Sequence, residues 1–138
     1  MIRVLANGCF DILHAGHLAH LKEARAMGDF LIVSLTVDSH VNKGPRRPIY
    51  TWEDRAALLR ELRCVDQVER SKNAVDAILA WRPDIFVKGI DYAGGGAWTE
   101  DILAACKEVG AAIRFTSSPK MSASETIRKI MTLDMETA

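Results

Sequence analysis

The sequence predicts an α/β fold, a three-layer sandwich around a five-stranded parallel sheet in the order 3-2-1-4-5. Three observations predict it. Short apolar segments of strand length alternate with segments of helical spacing from end to end, the pattern of βα units with right-handed crossovers. Asp29 to Asp38 is almost continuously apolar or β-branched, as a strand covered on both faces requires. Helix caps and stops also fall where that alternation needs them.

Met1 to Ala6 is the first apolar segment. Asn7 to His17 forms the junction to a helix whose Leu18, Leu21, Ala24, Arg25 and Met27 follow i, i+3, i+4 spacing. Asp29 to Asp38 is the second strand, and Ser39 to Tyr50 is a polar, proline-bearing loop. Thr51, with Asp54 three residues on, caps a second helix whose apolar side is Ala56, Leu58, Leu59 and Leu62. Val65 to Val68 reads as a short strand. Asn73 caps a helix that Arg82-Pro83 ends after Trp81, and Asp84 to Lys88 is the fourth strand. Gly89 to Trp98, with three consecutive glycines, suits a moving flap. A helix from Thr99 stops at Gly110, Ala111 to Thr116 is the fifth strand, and Ser122 to Glu125 is a capping box. The final helix is expected to reach about Met131, with frayed residues after it.

At 138 residues the chain is expected to form one domain, residues 1–138, with no linker or internal repeat. Apolar residues make up 49% and charged residues 26%, as in ordinary soluble proteins. Eighteen basic residues balance eighteen acidic ones. Nothing in that balance favours a nucleic-acid or membrane surface, so any phosphate affinity must be local. No apolar run approaches the roughly 20 residues of a membrane span, and no signal peptide opens the chain. Cys9, Cys64 and Cys106 are odd in number and lack C-x-x-C spacing, which favours reduced thiols and a cytoplasmic location.

The junction carries the chemistry. Gly8 allows a turn where a side chain would collide with a ligand. The backbone N–H groups at the helix start are expected to be unpaired and to form an anion site. His14 and His17, three apart, point the same way on one turn of helix. In open parallel sheets ligands bind beyond the strand C-termini where the order reverses, here between strands one and four. The histidines follow strand one, and Lys88 and Gly89 end strand four.

Gly8-Cys9-Phe10-Asp11 followed by His14-Ala15-Gly16-His17 resembles the G-x-F-D and H-x-G-H signature of the cytidylyltransferase-like nucleotidyltransferases, which have Rossmann-like folds. Asn7 to His17 is most similar to the nucleotidyltransferase half of bifunctional ADP-heptose synthases, and more distantly to glycerol-3-phosphate cytidylyltransferase. The resemblance spans roughly Arg3 to Ile130. It implies transfer of AMP or CMP from ATP or CTP to a sugar or polyol phosphate, with pyrophosphate released. A separate kinase would then supply the acceptor, since no kinase segment is present.

The resemblance also implies site residues. His14, His17 and Lys43 would be catalytic, the histidines donating to the triphosphate and Lys43 reaching it as a mobile charge. Gly8, Cys9, Phe10, Lys88, Gly89, Asp91, Ser122 and Thr126 would bind the nucleotide. Asp11, Asp38 and Arg55 would face the acceptor side, with Asp11 holding the loop. Arg46 and Arg47 read as solvated, and His20 as surface. Where the family has S-T-T, this chain has Ser122-Ala123-Ser124, which leaves a catalytically silent nucleotide-binding module as the rival reading. A synthetase-type fragment is a weaker rival, because it would lack room for an anticodon domain.

His14, His17 and His20 fall at successive i+3 steps, a spacing that could hold zinc, but Gly16 and the lack of a nearby carboxylate or cysteine partner argue against it. Mg²⁺ held mainly by the triphosphate is the expected metal. Family members commonly form homodimers, so the expected partners are a nucleoside triphosphate, a small phosphorylated acceptor and a second copy of the chain.

Overall fold

The computed structural model describes residues 1–89, 99–117 and 123–137. In chain order the elements are β1 (Arg3–Gly8), α1 (Ala15–Arg25), β2 (Phe30–Thr36), a 3₁₀ turn (Asp38–His40), α2 (Trp52–Arg60), β3 (Gln67–Ser71), α3 (Ala74–Trp81), β4 (Ile85–Gly89), α4 (Thr99–Val109), β5 (Ala112–Thr116) and α5 (Ala123–Thr137). The strands form one sheet in the order β3-β2-β1-β4-β5, all parallel. This is the expected Rossmann-like order. Of the flap expected from Gly89 to Trp98, Gly89 ends β4 and residues 90–98 lie outside the described residues, as does the expected cap Ser122.

Side-chain alternation along the central strands builds a core on each face of the sheet. Val4, Ala6, Leu31, Val33 and Leu35 point to one side and pack with Leu21 and Ala24 of α1 and Trp52, Ala56 and Leu59 of α2. Leu5, Ile32 and Phe86 point to the other and meet Ala77 and Ile78 of α3 and Ile102, Ala105 and Cys106 of α4. Each fully buried Leu or Ile contributes about 1.5–3 kcal/mol.

Several boundaries differ from expectation. β3 is Gln67–Ser71 rather than Val65 to Val68. At one edge of the sheet, its outer half is Glu69, half-buried, Arg70, exposed, and Ser71, and so carries no apolar signal. On α2 the buried face is Trp52, Arg55, Ala56 and Leu59, while Leu58 is exposed. α5 continues to Thr137 instead of ending near Met131. Its exposed Ile130, Met131 and Leu133 give no inward stripe from which that extension could be read.

The caps follow expectation. The Thr51 side chain accepts from the Asp54 N–H, Asn73 accepts from Asp76, and Gly110 takes the left-handed conformation after α4. Arg82, also left-handed, closes α3 before Pro83.

Candidate active site

The site lies where β1 and β4 run side by side and the strand order reverses. Asn7, at the end of β1, ties neighbouring strands together. Its Nδ2 donates to the carbonyl and Oγ of Ser34 (3.2 and 2.9 Å) and to Ser71 Oγ (3.2 Å).

From Gly8 the chain makes a strained turn. Phe10 and Ile12 take positive φ angles, 45° and 65°, a conformation that costs a non-glycine residue about 1–3 kcal/mol and persists only when its surroundings impose it. Those surroundings are visible. The buried Asp11 carboxylate, between the two strained residues, accepts from the N–H groups of Ile49 (2.7 Å) and Tyr50 (3.0 Å) and from Arg47 Nε (2.8 Å). The Cys9 carbonyl accepts from Arg55 Nη1 at 2.8 Å. Gly8 itself is not left-handed. A Cβ there would lie 2.8 Å from the Phe10 ring, so glycine makes room for Phe10 rather than for a turn or a ligand.

The histidines cap the helix that follows. The His14 side chain accepts from the N–H groups of Gly16 (3.1 Å) and His17 (3.4 Å), and the His14 N–H donates to His17 Nδ1 at 3.2 Å. This is a capping box built from two imidazoles. It corrects the expectation of a helix start with free N–H groups, because histidine rings occupy them. It also fixes the tautomers. Each Nδ1 accepts, so each neutral ring carries its proton on Nε2 and presents Nε2–H as a donor. His14 Nε2 is buried with no hydrogen-bond partner among the described residues. Burial, then the nearby His14, His20 and Lys43 charges, push His17 from 6.5 down to about 4. Burial lowers His14 as well. Near neutral pH the pair consists of uncharged donors.

Positive charge comes from lysines. Lys88 ends β4 with its Nζ donating to the Asn7 carbonyl at 3.2 Å. Burial pushes its pKa down to about 8, with Lys43 acting the same way against the opposing pull of the Cys9 thiol. Lys43 is exposed on the loop after β2 and close enough to act on both His17 and Lys88. A Cβ at Gly89 would meet nothing within 4 Å among the described residues. His20 is not the surface residue expected. It is half-buried, its Nδ1 lies 2.6 Å from Thr116 Oγ1 at the end of β5, and burial followed by Lys88 lowers its pKa.

The residues expected on the acceptor side are engaged with the protein itself. Arg55, 1% exposed, donates to the Tyr50 and Cys9 carbonyls and to Asp38 Oδ1 at 2.5 Å. It braces the loop from below and turns no face to solvent. Asp38 keeps its side chain 47% exposed beside that contact. Asp11 is 2% exposed and fully engaged in the loop. Thr126 lies near the start of α5, half-buried. Asp91 and Ser122 are outside the described residues. Arg47, expected to be solvated, is instead buried against Asp11 and α5. Nothing in the sequence distinguishes it from Arg46 beside it.

The turn at the switch point thus brings together two neutral imidazole donors and two lysines, a set suited to binding phosphate. The chain belongs to the cytidylyltransferase-like family, whose profile matches residues 5–130. It is 50% identical over 93 residues to the bifunctional protein HldE of Helicobacter pylori strain Shi470, covering 64% of this chain and 20% of that protein. To the HldE of Trichlorobacter lovleyi it is 41% identical over 104 residues, covering 72% of this chain and 21% of that one. The chain thus spans about a fifth of the length of these relatives. Among solved structures it superposes on a lipopolysaccharide core biosynthesis protein from Thermoplasma volcanium with a TM-score of 0.70 and 31% identity, covering 88% of this chain and 99% of that one. A pantothenate synthetase from Thermus thermophilus, 15% identical with a TM-score of 0.55, shares the fold alone.

Proposed function

We propose that the chain moves AMP or CMP from ATP or CTP to the phosphate of a sugar or polyol and releases pyrophosphate. An oxygen of the acceptor phosphate forms a bond to the α-phosphorus. The bond from that phosphorus to the bridging oxygen breaks, and pyrophosphate leaves with the electron pair. An ionised phosphate is already a nucleophile, so the step needs no general base, and what remains is positioning and charge neutralisation.

The observation that carries this reading is the histidine pair. Both rings are held by their Nδ1 atoms, and the buried Nε2 of His14 has no partner among the described residues. Donors fixed this way suit the oxygens that gain charge around the reacting phosphorus. Lys43 and Lys88 neutralise the triphosphate, with Gly8, Cys9, Phe10 and Gly89 lining it. Asp91, Ser122 and Thr126 complete the nucleotide contacts. The acceptor side falls to the exposed carboxylate of Asp38, with Arg55 and Asp11 holding the surrounding loop.

The names of the relatives, HldE and a lipopolysaccharide core biosynthesis protein, support a saccharide acceptor. No group of three or more His, Cys, Asp or Glu among the described residues is placed to hold a metal. The metal we propose is Mg²⁺ carried in by the triphosphate oxygens, where it would offset their charge. No helix among the described residues is long and apolar enough to cross a membrane. We further propose one catalytic domain, cytoplasmic and homodimeric.

The test is pyrophosphate release in the presence of Mg²⁺, with each nucleoside triphosphate against a panel of sugar and polyol phosphates. Release that depends on one triphosphate and one acceptor class is expected. Thermal stabilisation by a nucleotide without release from any pair would favour the silent nucleotide-binding module instead.

A further inference from the structure

The loop after β2 carries adjacent arginines with opposite fates. Arg46 is exposed, whereas Arg47 turns inward with its side chain only 7% exposed. Two of its three nitrogens are accounted for. Nε donates to Asp11 Oδ2 at 2.8 Å, and Nη1 donates to Ser124 Oγ, in the first turn of α5, at 3.2 Å. Nη2 is buried and has no hydrogen-bond partner among the described residues. Only it and His14 Nε2 are in that state among the described side chains.

A buried guanidinium N–H left unsatisfied costs more than an unsatisfied neutral donor does. Asp11 does not relieve it: its oxygens accept from Arg47 Nε, Ile49 and Tyr50, and neither makes a hydrogen bond to Nη2. The surroundings instead call for an oxyanion. Nη1 and Nη2 form the outer edge of a planar fork that matches phosphate oxygens. Ser124 places that fork at the N-terminal turn of a helix of 15 residues, where the backbone dipole favours negative charge.

We infer that Arg47, held in place by Asp11 and Ser124, is a phosphate-binding residue whose Nη2 donates to a phosphate oxygen beside the first turn of α5. The inference rests on the nucleotidyltransferase reading for its two phosphate sources, the triphosphate and the acceptor monoester. It assigns a ligand to a side chain that otherwise looks like a structural clamp.

Calorimetric titration of the full chain with inorganic pyrophosphate, and separately with glycerol 3-phosphate, tests it. Arg47→Lys keeps the charge and the reach to Asp11 but loses the fork. Its unliganded melting temperature is expected to stay within a few degrees of wild type. Affinity for one probe is expected to fall by about tenfold or more. Loss on the pyrophosphate arm assigns Arg47 to the nucleotide, and loss on the monoester arm assigns it to the acceptor.

Wild-type affinity for both probes in Arg47→Lys overturns the inference, as does a wild-type protein that binds neither. Should Arg47→Lys fail to fold, wild-type crystals soaked in tungstate decide. An oxyanion within hydrogen-bond distance of Nη2 supports the site, and tungstate bound only elsewhere removes it. Pyrophosphate release by the wild type keeps the two readings separable. Release alongside unaltered probe binding in Arg47→Lys sinks this inference alone, and Arg47-dependent anion binding without release sinks the transferase reading alone.

Discussion

The imidazoles of His14 and His17 stack with centroids 3.8 Å apart and planes 21° from parallel. Two rings in that contact cannot both be cationic without strong repulsion, and protonating either Nδ1 would also break a cap hydrogen bond. NMR of the ring nitrogens is therefore expected to show both as Nε2–H tautomers, with His17 titrating near 4 rather than 6.5. The unfolded chain takes up that proton near 6.5 and the folded chain resists until about 4. The stability contribution is thus complete above 6.5 and is lost as the pH falls through that interval. A ring titrating at its ordinary value would refute the capping geometry.

Replacing His17 by alanine removes one donor and half of the capping box. Turnover, read as pyrophosphate release, should fall by about 10²–10³. The lost cap should cost about 1 kcal/mol, leaving the chain folded. Unchanged turnover would contradict the assigned role.

Lys88 makes binding depend on pH. With its pKa pushed down to about 8, it begins to lose its charge above that pH in the free protein, while a triphosphate favours the charged form. Nucleotide affinity should fall as pH rises through 8, approaching about tenfold per pH unit. Calorimetry from pH 6.5 to 9.5 would show it, and Lys88→Gln should flatten the profile at a weaker affinity.

Asp11→Ala should be the most damaging loop substitution for stability. It leaves two backbone N–H groups and a buried guanidinium without their acceptor, at a cost of about 3–5 kcal/mol by chemical denaturation. Burial pushes this carboxyl up, but the Ile49 and Tyr50 N–H groups and Arg47 outweigh it and hold it below its ordinary 3.8. Its contribution is therefore present above that value and disappears as the pH falls through the lowered folded pKa.

Lys43→Ala should behave oppositely. The side chain is exposed, so the melting temperature should barely move while the KM for the triphosphate rises by about tenfold. A drop in melting temperature with unchanged KM would make Lys43 structural.

The sheet order and the position of the site were legible because both follow from patterns that burial imposes along a chain. Alternating apolar segments betray parallel strands, and the Asn7 to His17 junction falls at the one place where their order reverses. Polar side chains that fold inward leave no such trace. Arg55 is expected to face the acceptor, yet it lies beneath the loop bonded to two carbonyls and to Asp38. His20 reads as surface because its partner, Thr116, is distant in sequence. Histidines as helix caps were equally hidden, since the usual capping residues are Ser, Thr, Asp and Asn.

The Phe10 ring packs edge-on to His17 at 5.2 Å between centroids, and it occupies the space a Cβ at position 8 would need. A methyl group added at Gly8 would evict the phenyl ring, and with it the wall against which the imidazole leans. The smallest side chain in the motif thus governs, at one remove, the aim of the histidine at its far end.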